Sequence, residues 1–174
     1  GMKELHKGRK VNCLYFDNNR MQSFSDSQEG IVPRFKIRIR NYKDFNSKIF
    51  YELKISSPEG RFKQSKLINN RSFSRILKNG IYNSNYGMCY PKLYISYFRQ
   101  YFSYKNIRVT FDSNISYKKF NVNEVKKEEH NAMEFKVPFD FPLDNFNTLF
   151  HLPNARFSKY SNACETLFSI NDLC

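Results

Sequence analysis

The sequence predicts a mainly β, α+β domain of antiparallel strands with a few short helices, and three observations carry that expectation. Tyr, Phe, Ile and Val recur in short segments that alternate with polar residues, the period of a strand. Clusters of turn-forming residues, KDFNS at 43–47, SPEG at 57–60 and SYKN at 103–106, punctuate those segments. The chain has 174 residues, 40% hydrophobic and 17% aromatic, enough apolar material for one core. That content excludes whole-chain disorder despite a net charge of +13, from 29 Lys and Arg against 16 Asp and Glu. Only 6 Gly and 6 Pro exclude collagen-like and Pro-rich classes.

The pattern places strands near 11–17, 32–42, 48–56, 62–68, 92–102, 106–112, 131–138 and 156–162. KDFNS joins the second and third, SPEG the third and fourth, and SYKN the fifth and sixth, so sequential antiparallel pairing follows. A helix is expected over 71–79, capped by Ser72 or Ser74 and stopped at Gly80. A second is expected over 143–151, between Pro142 and Pro153. The run YKKFNVNEVKKEEH, 117–130, is charge-rich and reads as a solvated loop. Gly1 ahead of Met2 has the look of a cloning remnant. The expected organisation is therefore an N-terminal extension over 1–10, one domain over 11–168 and a tail over 169–174.

The segment RFKIRIR, 34–40, is the most informative. Alternation puts Arg34, Lys36, Arg38 and Arg40 on one face of a strand and Phe35, Ile37 and Ile39 on the other. The same split sets Glu52 and Lys54 against Tyr51, Leu53 and Ile55, and Arg108, Thr110 and Asp112 against Ile107, Val109 and Phe111. It also sets Glu134 and Lys136 against Met133, Phe135 and Val137, while Arg99 shares a face with Tyr97 and Tyr101. Alternation does not say which face is inside; a charged face is also what the wet side of a sheet looks like. A row of like charges nevertheless repels unless something anionic lies across from it.

Three polyanions fit such a face. Nucleic acid is disfavoured because most aromatics adjoin Ile, Val and Leu, and no recognised nucleic-acid signature occurs. Acidic lipid favours a basic helix or tail, whereas these cations lie on strands. A phosphate chain or nucleoside triphosphate held inside a barrel also accounts for the interspersed acids, which can hold a divalent cation on phosphate oxygens or form cross-strand salt bridges. No run of ~18 apolar residues predicts a membrane-spanning helix, and GMKELHKGRKVNCLYF lacks the apolar core of a secretory signal. Cys13, Cys89, Cys164 and Cys174 are dispersed without a CxxC, which predicts a reduced, cytoplasmic protein without a zinc site. The ending NDLC predicts no prenylation, and His6, His130 and His151 lack a readable catalytic partner.

The succession CLYFDN (13–18), RFKIRIRNY (34–42), FYELK (50–54), YFRQYF (97–102), IRVTFD (107–112), MEFK (133–136) and FSKY (157–160) resembles the VTC domain. This is the polyphosphate polymerase domain of vacuolar transporter chaperone proteins and their bacterial relatives. The resemblance implies an antiparallel, tunnel-shaped β-barrel of the triphosphate tunnel metalloenzyme type, with polar faces lining the lumen. It implies phosphate binding by Arg38, Arg40, Lys54, Arg99, Arg108 and Lys159; Arg34, Lys36, Lys63, Lys66 and Ser158 are additional candidate contacts that no family motif supports. It further implies Glu134 as ligand of Mn²⁺ or Mg²⁺, with polyphosphate, ATP or another triphosphate as ligand and a membrane-associated partner protein. A nucleoside triphosphate would pass its γ-phosphoryl to a growing chain; a non-catalytic polyphosphate- or triphosphate-binding module is the alternative, and a nucleic-acid-binding basic barrel the second.

The family's first strand, which carries a substrate-contacting lysine, is expected to be lacking here. Gly1–Lys10 is too short for a strand, a helix and a connection, and no ExExK occurs. An unclosed barrel would expose a strand edge, which either the 62–68 segment or a homodimer would cover.

Overall fold

The computed structural model describes residues 1–42, 48–138 and 157–169. Its frame is a nine-stranded antiparallel sheet. The strands are β1 (Lys3–Asp17), β2 (Arg34–Asn41), β3 (Ile49–Ser57), β4 (Gly60–Ile68), β5 (Ile81–Asn83), β6 (Gly87–Tyr104), β7 (Ile107–Lys119), β8 (Lys126–Lys127) and β9 (Ala132–Lys136). The helices among the described residues are α1 (Gln22–Glu29), α2 (Asn70–Asn79) and α3 (Lys159–Leu167). Strand order is β4-β3-β2-β1-β6-β7-β8, with β9 also on β7 and β5 on β6.

Sequential hairpins form where turn chemistry predicts them. SPEG closes β3 on β4 with Ser57 opposite Gly60, and SYKN closes β6 on β7 with Tyr104 opposite Ile107. KDFNS lies outside the described residues, although β2 and β3 pair antiparallel across it. The predicted 71–79 helix is α2, capped by Asn69, whose side chain accepts from the Ser72 N–H, and stopped at Gly80 with φ 77°. Any Cβ there would come within 2.7 Å of the Cys89 carbonyl oxygen. The expected 143–151 helix lies outside the described residues.

Four local features depart from expectation. β1 starts at Lys3, well before position 11, and its N-terminal part pairs with β6 through irregular register. Gly8 lies there under the Phe98 ring, where a Cβ would approach to 2.7 Å. The 117–130 run continues β7 to Lys119 and adds β8, instead of forming only a loop. α1 escapes prediction because no side chain of its own caps it. Its first-turn N–H groups at Ser23 and Phe24 instead donate to the buried Asp17 carboxylate at the end of β1. Finally, the strand expected over 156–162 is not formed by its described part, 157–162. Ser158 caps α3, and Tyr160, Ala163 and Cys164 at helical spacing form its buried side.

The two faces of the sheet bury different material. On the outer face Leu14, Phe16, Ile37, Ile39, Ile49 and Cys89 form a core, packed by Phe73, Ile76 and Leu77 of α2. On the inner face Val11, Cys13, Tyr15, Ile95, Tyr97, Ile115 and Tyr117 pack against Met21 and Phe24 of α1 and Tyr160, Ala163 and Cys164 of α3. Asp17 ties both helices to β1, accepting also from the Tyr160 hydroxyl at 2.7 Å. The charged set shares the inner face, beside this apolar half.

The sheet is not closed among the described residues, and β4 remains an exposed edge. Ile39→Ala, which empties a fully buried site, should cost about 2–5 kcal/mol in denaturant unfolding. Phe62→Ala on the exposed β4 should change stability by less than about 0.5 kcal/mol.

Candidate functional site: a cationic inner face

Register assigns the charged residues to faces. Arg38 opposes Tyr15 on β1 and Glu52 on β3, and Lys54 opposes Lys36 and Lys63. Arg99 opposes Arg9 and Asp112, and Arg108 and Thr110 oppose Lys136 and Glu134. Because cross-strand partners project to one side, Arg34, Lys36, Arg38, Arg40, Lys54, Lys63, Arg99, Arg108 and Glu134 share the inner face. Lys66 does not. It pairs with Tyr51, on the opposite face, and borders an outer groove with α2.

Two buried carboxylates organise the cations. Glu52 Oε2 accepts from Arg38 Nε at 2.8 Å and lies 2.6 Å from Arg38 Nη2, while Oε1 forms ion pairs with Arg40 Nη2 at 2.8 Å and Lys63 Nζ at 3.6 Å. Asp112 accepts Arg99 Nε at 2.6 Å and Nη2 at 2.7 Å, and Lys159 Nζ lies 2.7 Å from Oδ2. Burial alone would raise both carboxyl pKa values. The Arg38 and Arg40 charges outweigh it at Glu52, and Arg99 and Lys159 at Asp112, so both lie below the ordinary range.

Tyrosines hold the same cations from the other side. Tyr15 Oη accepts from Arg38 Nη1 at 3.0 Å. Arg40 Cζ lies 4.8 Å from the Tyr42 ring centre, and Arg99 Cζ and Lys159 Nζ lie 5.2 and 5.1 Å from that of Tyr97. Neutral rings let guanidinium groups sit close without adding negative charge.

The two sides of the sheet meet across this face. Lys36 Nζ donates to Ser158 Oγ at 2.8 Å, and the next residue, Lys159, reaches Asp112. The start of α3 thus bridges β2 to β7, and Glu134 on β9 lies close enough to Lys54 on β3 to act on its charge. Lys159 belongs to this helix, not to a terminal strand.

The remaining predicted residues differ in availability. Arg34 is committed to the Gly30 and Ile31 carbonyls. Arg108 is exposed near one end of β7. Lys54 has no ion pair among the described residues, since Glu52 is already taken. The Arg38 charge first, and crowding by protein atoms second, push its pKa down to about 7 although its surface still touches solvent. Glu134 is half exposed, with Arg99 Nη2 at 4.0 Å and Lys136 Nζ at 3.8 Å. Among the described residues no three His, Cys, Asp or Glu side chains converge as a metal cage. Glu134 therefore offers one carboxylate, which suits Mg²⁺ or Mn²⁺ only if phosphate oxygens and water complete the shell.

The chain matches the VTC domain over residues 2–168. It belongs to the VTC domain family. No curated protein matches it. Among solved structures it is similar to a candidate adenylate cyclase of Bacillus halodurans (bh2851), with TM-score 0.63 and 12% identity over 97% of this chain and 96% of that one. It is also similar to HpAC1 of Hippeastrum, a candidate adenylyl cyclase described as having a dominant triphosphatase activity, with TM-score 0.55 and 15% identity over 96% and 87%. A third is PH1819 of Pyrococcus horikoshii OT3, with TM-score 0.56 and 13% identity over 95% and 88%. The VTC-domain chain thus has the triphosphate-tunnel fold, with its sheet open among the described residues.

The sequence reading missed the buried Asp112 as an organising carboxylate, the cation-holding tyrosines, and Arg9. Asp112 was legible as the same-face neighbour of Arg108; the others required register. Glu52→Gln, which leaves Arg38 and Arg40 uncompensated, should cost about 3–5 kcal/mol, measured by denaturant unfolding. Because the folded pKa values of Glu52 and Asp112 are depressed, their stabilisation is complete above the ordinary carboxylate range near ~4 and fades as pH falls through the lower folded values. Acid titration of wild type should show that loss, and Glu52→Gln should flatten it.

Proposed function

We propose that the inner face binds a linear phosphate chain, as a nucleoside triphosphate or polyphosphate, and supports metal-dependent phosphoryl transfer of the polyphosphate polymerase kind. The observation that carries this reading is the gathering of Arg38, Arg40, Lys54 and Arg99 on one face of the sheet, with Lys54 left without a carboxylate among the described residues. Cations held this way in advance of the ligand gain on binding, because an anion relieves their mutual repulsion. Arg is suited to the role, since it stays charged when partly desolvated and binds phosphate through a planar fork. Arg108 and Lys159 extend the same lining, with Lys36, Ser158 and Lys63 beside it. Arg34 and Lys66 are left out, the first committed to backbone carbonyls and the second facing away.

In phosphoryl transfer a protein acts mainly by alignment and charge neutralisation. Arg38, Arg40 and Arg99, fixed by buried carboxylates, would orient the phosphates and stabilise charge on their oxygens. Lys54 would add a movable point charge. Glu134 would hold Mg²⁺ or Mn²⁺ together with phosphate oxygens, where such an ion neutralises charge on the transferring group.

A non-catalytic phosphate-binding module is the second reading. It is favoured by Glu52 and Asp112 being committed to cations, which among the described residues leaves Glu134 as the inner-face carboxylate open to a metal. Nucleic acid is disfavoured because Tyr15, Tyr42 and Tyr97 hold cations. A homodimer through β4 would bring Arg61, Lys63 and Lys66 of two copies together, so an acidic partner, membrane-associated or otherwise, suits that edge better. No helix among the described residues is long and apolar enough to cross a membrane. Buried free thiols at Cys13, Cys89 and Cys164 suit a reducing, cytoplasmic setting.

Incubation with ATP and Mn²⁺ or Mg²⁺ should yield polymer with ADP. Tripolyphosphate binding without turnover would support the module instead, and no binding would reject both. Arg38→Ala or Arg40→Ala should weaken tripolyphosphate binding by at least about tenfold, far more than Lys126→Ala or Lys127→Ala. Above pH about 7, where Lys54 sheds its proton, wild type should bind tripolyphosphate progressively less well than Lys54→Arg, which keeps its charge. Parallel pH profiles would remove Lys54 from the site.

A further inference from the structure

We propose that Arg9 forms an additional phosphate subsite on the inner face, engaging a linear phosphate chain only beyond its third phosphate. The proposal rests on the phosphate-chain reading above and adds a determinant of chain length to it. Arg9 stands opposite Arg99 in the β1–β6 register, which places it on the inner face. A like-charged pair directly opposed across two strands is unfavourable until an anion lies between or beside the two groups. Arg99 is neutralised by Asp112, whereas Arg9 has no carboxylate partner among the described residues.

Its guanidinium is nevertheless held in place. Cζ lies 3.8 Å from the Tyr42 ring centre and 5.2 Å from that of Tyr101, and Nε donates to Tyr101 Oη at 3.0 Å. The His6 ring stacks on Tyr101 at 3.9 Å, which fixes that ring in turn. Only Nε is engaged by these contacts, so both terminal NH₂ groups of an exposed, oriented fork are free to bind phosphate. A base-stacking role fits less well. Tyr42 already carries Arg9 and Arg40, and Tyr101 carries Arg9 and His6. The group left to offer is a cation, which selects phosphate rather than a nucleobase.

Position sets the chain-length dependence. Tyr15 opposes Arg38, and Arg9 lies six residues back along the same strand, about 20 Å at the rise of an extended chain. Arg40 and Arg9 share the Tyr42 ring, so a cationic track runs from the Glu52 cluster past Tyr42 to Arg9, while the Arg99 guanidinium is held apart from it on Asp112 and Tyr97. A triphosphate held at Arg38 and Lys54 occupies the first part of that track, and a longer chain continues to Arg9.

The test compares wild type, Arg9→Gln and Arg9→Lys for binding of tripolyphosphate and of long-chain polyphosphate by calorimetry, with thermal melts to verify the fold. Arg9→Gln should leave tripolyphosphate affinity within about twofold of wild type and weaken the long chain by about tenfold. Its salt dependence for the long chain should fall by about one charge. Arg9→Lys should restore the charge but only part of the affinity, since the fork is lost. Equal loss for both probes would place Arg9 in the triphosphate site and overturn the chain-length assignment. No loss for either would remove the subsite. If wild type binds neither probe, the phosphate reading itself fails and takes the subsite with it.

Discussion

The constraint on which this molecule depends is the crowding of like charges on one face of a sheet. Arg34, Lys36, Arg38 and Arg40 follow at alternate positions of β2, and lysines flank Lys54 on both neighbouring strands. Such an arrangement folds only if its repulsion is balanced. Buried Glu52 and Asp112 supply most of that balance, each shared by more than one cation. Removing one partner of such a network is costly, since the remaining charges stay buried without compensation. Tyrosine rings supply the rest, giving guanidinium groups a favourable surface without neutralising them. The compensation is deliberately incomplete at Lys54 and Arg9, and those are the places where an anion gains most.

The same constraint explains the layering. One half of the inner face is apolar and buried by α1 and α3, and the other half stays charged. The start of α3 joins the halves, with Ser158 on Lys36 and Lys159 on Asp112, so a single turn of helix holds β2 and β7 at a fixed separation. Asp17 anchors that assembly by accepting hydrogen bonds from α1 and from Tyr160. The outer face is ordinary by comparison, an aliphatic core under α2. Its polarity pattern therefore stabilises the frame, while the inner face pre-positions charge.

Legibility in the sequence follows the range of the interactions involved. Strand alternation and hairpin turns are local, so the pairing of β2 with β3, β3 with β4 and β6 with β7 was readable, whereas a common face for Arg38, Lys54, Arg99 and Glu134 followed only from the family resemblance, because alternation fixes faces within one strand and not between strands. α1 was not readable because its cap comes from Asp17 on the preceding strand rather than from its own first residues. α3 was misread because Phe157, Lys159 and Tyr160 sit in a short aromatic stretch that resembles a strand, whereas the helical spacing of Tyr160, Ala163 and Cys164 decides the outcome. Lys66 was misassigned because the face of an exposed edge strand is set by register with Tyr51, not by hydrophobicity. Arg9 was overlooked since its role depends on Tyr42 and Tyr101, residues distant in the chain.

The most direct measurement of the central claim is the NMR response of arginine side-chain Nε–H groups to tripolyphosphate. The account predicts shifts concentrated at Arg38, Arg40 and Arg99, which face inward, with Arg71 and Arg75 on the exposed side of α2 unmoved. Shifts that fall mainly on Arg71, Arg75 and other outer cations, with Arg38 and Arg40 silent, would contradict it.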